Sequence, residues 1–142
     1  MQIKEISPDE TLEIRQQVLW PDKPISQLKL PEDLEGLHFG LFDNDRLVSV
    51  ISIFIQDDAL RFRKFATRTE DQGKGYGTRL LTFVVGYAVN FGVQKIWCNA
   101  RVQKQSFYES FGLIATDEIT EKEGIQYVTM EKRFDTPLDP TT

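Results

Sequence analysis

The segment Gln72-Gly73-Lys74-Gly75-Tyr76-Gly77 sets three glycines at alternate positions directly before a long run with helical periodicity. Glycine lets the backbone come close to a ligand and aim successive N–H groups the same way, and a helix N-terminus adds about half a unit of positive charge. The chemistry that follows is anion binding, with a pyrophosphate as the natural guest. Two better-known phosphate motifs do not fit. A Walker loop needs lysine followed by serine or threonine, and here Lys74 is followed by Gly75. The dinucleotide fingerprint needs two residues between its last glycines, and only Tyr76 separates Gly75 from Gly77. The plain alternative is a glycine turn that merely starts a helix.

Other chemistry-bearing residues are sparse. The single histidine, His38, sits in an apparent strand and reads as structural. Cys98, the only cysteine, reads as a small buried hydrophobe, excludes an internal disulfide and suits a reducing compartment. One histidine and one cysteine are too few for a zinc site with nitrogen and sulfur ligands, so metal dependence would have to come from carboxylates, and no metal is expected. The net charge of -5, from 17 basic and 22 acidic residues, argues against a nucleic-acid partner held through many phosphates. No apolar run approaches the ~20 residues that span a bilayer. The opening Met1-Gln2-Ile3-Lys4 lacks the character of an export signal, so a cytoplasmic protein without a membrane partner is expected.

The elements that must position the glycine loop follow from pattern. Residues 2–6 read as a strand. Ser7-Pro8-Asp9-Glu10 then starts a helix, with serine as cap, proline in the first helical position and glutamate three residues after the serine. One face of that helix carries Leu12, Arg15, Val18 and Leu19, and Trp20-Pro21 stops it. Residues 21–36 hold three prolines and read as a loop with a short helix around 25–30. Strands are expected at 37–42, 46–55 and 59–67, separated by Asp43-Asn44-Asp45 and Gln56-Asp57-Asp58. A helix follows from Tyr76 to Phe91. Gly86 within it costs roughly 1 kcal/mol relative to alanine, which points to close backbone packing. A strand at 94–100, a short helix at 103–111 and a hairpin of 113–119 with 125–132 complete the chain. The strands on either side of the long helix form a βαβ unit and should be parallel. The fold class is α/β, a mixed sheet with flanking helices. At 142 residues the chain suits a single domain, residues 1–134, followed by a proline-bearing flexible tail, 135–142.

The run from Phe65 to Leu81, with Gln72, Gly75 and Gly77 in the places of its signature, resembles the acetyl-coenzyme A motif of the GCN5-related N-acetyltransferase (GNAT) superfamily. A second block agrees: Trp97-Cys98-Asn99-Ala100-Arg101, then Ser106-Phe107-Tyr108-Glu109-Ser110-Phe111-Gly112, is similar to the family's later strand and short helix. The resemblance covers about residues 37–132. Thr69 stands where the family often has proline, and Lys104 where many members have a small residue.

The resemblance implies a mostly antiparallel central sheet with a splayed parallel pair. It implies acetyl transfer from acetyl-coenzyme A, as co-substrate, to a small-molecule or peptide amine by direct attack through a tetrahedral intermediate. Phe65, Ala66 and Thr67 would bond the pantetheine arm, with an N–H at Phe65 polarising the thioester carbonyl. Gln72, Gly73, Lys74, Gly75, Tyr76 and Gly77 would hold the pyrophosphate, with Arg79 as a further source of charge, and Asn99 would also contact the coenzyme. Tyr108 matches the family's acid, which protonates the departing sulfur. No residue stands out as the base, Glu118, Glu121 and Asp57 being only candidates. The acceptor would be met by the first helix with Arg15, the Trp20-Pro21 loop and the last hairpin. A homodimer is possible. The alternative from another class is a coenzyme A binding sensor or assembly module without turnover, and transfer to oxygen or of a longer acyl group is a variant of the main reading.

Overall fold

Three two-residue turns shape the strands in the computed structural model, which describes residues 1–134. β2 (Leu37–Asp43) meets β3 (Arg46–Gln56) across Asn44-Asp45, β3 meets β4 (Ala59–Thr67) across Asp57-Asp58, and β6 (Ile114–Lys122) meets β7 (Ile125–Arg133) across Glu123-Gly124. Both residues of each turn have positive φ, from 52° to 80°. That geometry matches the twist of paired strands, and Asn, Asp and Gly are the types that tolerate it best. With β1 (Gln2–Ile6) and β5 (Lys95–Arg101) the strands form a seven-stranded sheet ordered β1-β2-β3-β4-β5-β7-β6.

Neighbours pair antiparallel at β1–β2, β2–β3, β5–β7 and β6–β7. β4 and β5 are parallel because the helix α2 (Tyr76–Phe91) carries the chain from one to the other. Their register covers Ala59↔Lys95, Leu60↔Ile96 and Arg61↔Trp97, at the starts of both strands. The expected mixed, mostly antiparallel sheet with one parallel pair is therefore what the chain forms.

The chain divides into two compact units. One comprises Met1–Phe54 with Phe62–Val84, the other Ile55–Arg61 with the described residues from Val85 to Phe134. In the first, Ile6, Ile14, Val50 and Ala66 form a buried cluster with Val18, Leu19, Phe42 and Leu47 against it, and Leu41, Val48 and Tyr76 form a second. In the second, Ile96, Cys98 and Ala100 of β5 and Val128 and Met130 of β7 are buried, the alternation of a strand with one covered face. The expected tail 135–142 lies outside the described residues. No helix among the described residues is long and apolar enough to cross a membrane.

Two local expectations need correction. The first helix is not one regular α-helix. Its capping box is present, Ser7 N–H to Glu10 Oε1 at 2.8 Å and Glu10 N–H to Ser7 Oγ at 3.4 Å, but a 3₁₀ turn (Pro8–Thr11), α1 (Leu12–Ile14) and a wide π turn (Arg15–Leu19) follow one another. The wide turn closes through Trp20 N–H to Arg15 O at 3.3 Å, the last donor before Pro21. Gly86 does not serve close packing: a Cβ there would meet nothing within 4 Å.

Arg15 is also misread as an acceptor contact. Its side chain is 1% exposed and donates from Nη1 to Asp33 Oδ2 at 2.9 Å and from Nη2 to Asp33 Oδ1 at 3.0 Å, with further bonds to Leu28 O and Ser52 Oγ. His38 completes the cluster. Its Nε2 faces the Asp33 carbonyl at 2.8 Å and so donates, leaving Nδ1 to accept from the Ser52 hydroxyl at 2.7 Å. The structural reading of His38 thus fits its buried position, and the network pins the loop of residues 21–36.

Burial alone would push the Asp33 carboxyl up, but the bonds from Arg15 and the Leu30 N–H outweigh it and hold it below its ordinary value. Its contribution to stability is therefore complete above about pH 4 and is lost as pH falls through the lowered value. Asp33→Ala, which leaves the Arg15 charge buried without its partner, should cost about 3–5 kcal/mol in urea unfolding. A loss below 1 kcal/mol would show that the pair is dispensable.

Candidate functional site

α2 starts from the glycine loop, and its three glycines serve two purposes. Gly73 and Gly75 have φ of +80° and +86°, and a Cβ on either would meet nothing within 4 Å, so backbone conformation alone demands glycine there. At Gly77 a Cβ would lie 3.3 Å from Phe65 Cζ and 3.5 Å from Thr67 Oγ1, so the helix start lies close to β4 and a side chain there would press on the Phe65 ring. The first bond of the helix ladder runs from Arg79 N–H to Gly75 O at 3.1 Å. Among the described residues the N–H groups from Gly73 to Thr78 make no backbone bond, which leaves a run of donors at the positive end of a 16-residue helix. Such a cradle suits a diphosphate.

β4 carries a feature the strand pattern did not reveal. Lys64 has φ +55°, a left-handed residue within the strand and the backbone conformation of a bulge. In a regular strand, residues three apart face opposite sides. Across this bulge the Phe62 and Phe65 rings meet edge to face, centroids 6.4 Å apart, and Phe65 reaches Gly77. The sequence held the signal: apolar Leu60, Phe62 and Phe65 are spaced by two and then by three. The bulge re-aims the backbone just ahead of Phe65. Farther along, Ala66 O accepts from Ser49 Oγ at 3.1 Å, Thr67 Oγ1 bonds Ser49 Oγ at 2.9 Å, and Thr67 O accepts from Gln72 Nε2 at 3.0 Å.

Several loop side chains turn out to be supports. Gln72 ties the loop to the end of β4. Tyr76 is buried against Leu41 and Val48 and donates its hydroxyl to Asp43, which raises its phenol above the ordinary value. Lys74 Nζ lies 3.4 Å from Asp71 Oδ1, while Arg46 meets Asp71 Oδ2 at 2.7 Å and Glu70 Oε2 at 2.8 Å. Arg79 is exposed. Asp43 and Arg46 flank the Asn44-Asp45 turn. In the sequence that segment reads as turn chemistry alone, which leaves both side chains unmarked.

The remaining candidates lie in the second unit. α3 (Gln105–Glu109) carries Tyr108, half-buried, its ring 5.2 Å from that of Phe107. Burial pushes the phenol well above its usual value, the nearby Cys98 adds to the rise, and Arg101 opposes it. The Cys98 thiol, buried in β5, is pushed up to about 12 by the same desolvation, so it is inert as a nucleophile. Asn99 is exposed and its Oδ1 accepts from Thr129 Oγ1 at 2.7 Å on the paired strand.

Residues 10–134 match the family described as acetyltransferase (GNAT) domain. An uncharacterised N-acetyltransferase of Bacillus subtilis (strain 168), YitI, is 32% identical over 121 residues, covering 79% of this chain and 81% of that protein. An aminoglycoside 6'-N-acetyltransferase solved with coenzyme A superposes at a TM-score of 0.78 with 15% identity, over 98% of this chain and all of the other. A GNAT family acetyltransferase of Elizabethkingia anophelis with acetyl-CoA bound does so at 0.72 with 16% identity, over 94% and 97%. At these identities the two solved structures speak for the fold, while the family match spans nearly the whole chain. The chain belongs to the GNAT acetyltransferase family.

Proposed function

We propose that this protein transfers the acetyl group of acetyl-coenzyme A to a primary amine in the cytoplasm, by direct attack of the amine on the thioester. The observation that carries the reading is the run of N–H donors from Gly73 to Thr78 at the head of α2, opened by Gly73 and Gly75. A diphosphate fits it: the donors are left without backbone partners, the helix end is positive, and the space above either glycine is open. Family membership supports the same co-substrate, and the two solved relatives hold coenzyme A or acetyl-CoA.

This chain's residues then divide the work. The loop amides bind the diphosphate, and Lys74 adds its charge. Backbone groups of Phe65, Ala66 and Thr67 align the pantetheine arm, and the Phe65 N–H, behind the Lys64 bulge, donates to the carbonyl oxygen as negative charge develops there. One such donor is worth ~3 kcal/mol in the transition state. The amine forms the new C–N bond, the C–S bond breaks, and Tyr108 supplies a proton to the departing sulfur while water takes one from the nitrogen. Products are an amide and free coenzyme A.

The test is thiol release from acetyl-CoA with a panel of primary amines, alcohols and propionyl and succinyl thioesters as competitors. Release that depends on an amine is the expected result. Tight coenzyme binding without release across the panel would overturn it in favour of a sensor.

A further inference from the structure

Directly before the cradle the chain carries two carboxylates, Glu70 and Asp71, and Asp71 is nearly fully buried. A negative charge there opposes an anionic ligand unless it is matched. Two cations reach Asp71, and they are not equivalent. Arg46 spans Asp71 Oδ2 at 2.7 Å and Glu70 Oε2 at 2.8 Å with the two ends of its planar fork. Lys74 touches the other Asp71 oxygen at a looser 3.4 Å, on a flexible and half-exposed stem. The arginine is held in place by its position after the Asn44-Asp45 turn. Asp43, on the other side of that turn, accepts the Tyr76 hydroxyl. The tip of the β2–β3 hairpin thus grips the glycine loop at Asp71 and at Tyr76, on either side of Gly73 and Gly75.

We propose that Arg46 is a positioning residue for the glycine loop: by taking up the Asp71 carboxylate it leaves Lys74 to meet the ligand's diphosphate. The inference rests on the loop being the diphosphate site. Without Arg46 the Lys74 ammonium becomes the counter-ion of Asp71, so the site loses a cation from the ligand and carries an extra negative charge.

Titration calorimetry with coenzyme A tests this, on variants whose melting curves show them folded. Arg46→Ala should weaken binding about tenfold, and Arg46→Lys, which keeps the charge but not the fork, should recover only part of that loss. Lys74→Ala should weaken binding by a similar factor, and adding Arg46→Ala to Lys74→Ala should cost less than Arg46→Ala costs alone, because the part of the loss that runs through the ammonium is already gone and only the unmatched Asp71 charge is added. In an Asp71→Asn background, where no charge needs matching, Arg46→Ala should cost less than about twofold. The loss in kcat/KM should also vanish with S-acetylpantetheine, which has no diphosphate, whereas a merely structural defect would persist. Unchanged affinity in Arg46→Ala, additive losses in the pair, or an equal loss with the short donor would each overturn the inference while leaving the site in place. Failure of the unsubstituted protein to bind coenzyme A would instead overturn the reading of the loop itself.

Discussion

Gly75→Glu should lose coenzyme A binding by more than about a hundredfold in titration calorimetry, with the fold retained by circular dichroism. Two physical effects combine. At φ +86° a residue with a side chain is strained by roughly 1–2 kcal/mol, so the loop relaxes and its N–H groups no longer converge. The glutamate side chain also enters the open space above Gly75, where a Cβ meets nothing within 4 Å, and puts a carboxylate where the diphosphate should sit. Gly75→Ala carries the strain without the charge and should fall between the two. Gly86 is the control. It too faces open space, but in the middle of an exposed helix face, so Gly86→Ala should add up to about 1 kcal/mol of stability and leave binding alone. Coenzyme affinity within threefold of the unsubstituted protein in Gly75→Glu would remove the loop from the binding site.

What could be read from the sequence divides along the range of the interactions concerned. The glycine loop, the hairpin turns and the capping box at Ser7 are local: each depends on residues within a few positions, and residue type alone carries the conformational preference. Arg15 is the contrary case. On a helical face it looks like a cation available to a substrate, and only its partners, Asp33 at 18 residues' separation and Ser52 at 37, make it a buried strut. Arg46 and Asp71, 25 residues apart, were hidden for the same reason. Charge pairing across a fold leaves no periodic trace. The left-handed Lys64 was hidden differently, since a nine-residue strand with one such residue still reads as a strand, and only the changed spacing from Phe62 to Phe65 betrays it. Family resemblance supplied the role of Tyr108, which no physical pattern in the chain would have singled out from other aromatic residues.

Tyr108→Phe should lower kcat by about a hundred- to ten-thousandfold, the usual range for loss of a positioned acid, while coenzyme A affinity changes by less than about threefold. The raised phenol at first looks unsuited to the task, because a weaker acid gives up its proton less readily. The proton's destination must be weighed too. Desolvation that disfavours the phenolate disfavours a thiolate as well, and Cys98 shows how strongly: in the neighbourhood of Tyr108 a thiol is pushed up to about 12. If the departing sulfur meets a comparable environment, it is a strong base and draws the proton, while the phenol stays protonated and ready to donate throughout the physiological range. The sign of the pH dependence follows. In the proposed role the neutral phenol is the active form, and its titration lies above that of ordinary tyrosine, so kcat should show no fall attributable to Tyr108 up to at least about pH 10. Replacing acetyl-CoA by a thioester with a more acidic thiol should partly rescue Tyr108→Phe, because a better leaving group needs less help. Equal kcat in Tyr108→Phe, or a loss that ignores the leaving group, would take the phenol out of the acid role and leave solvent as the proton source.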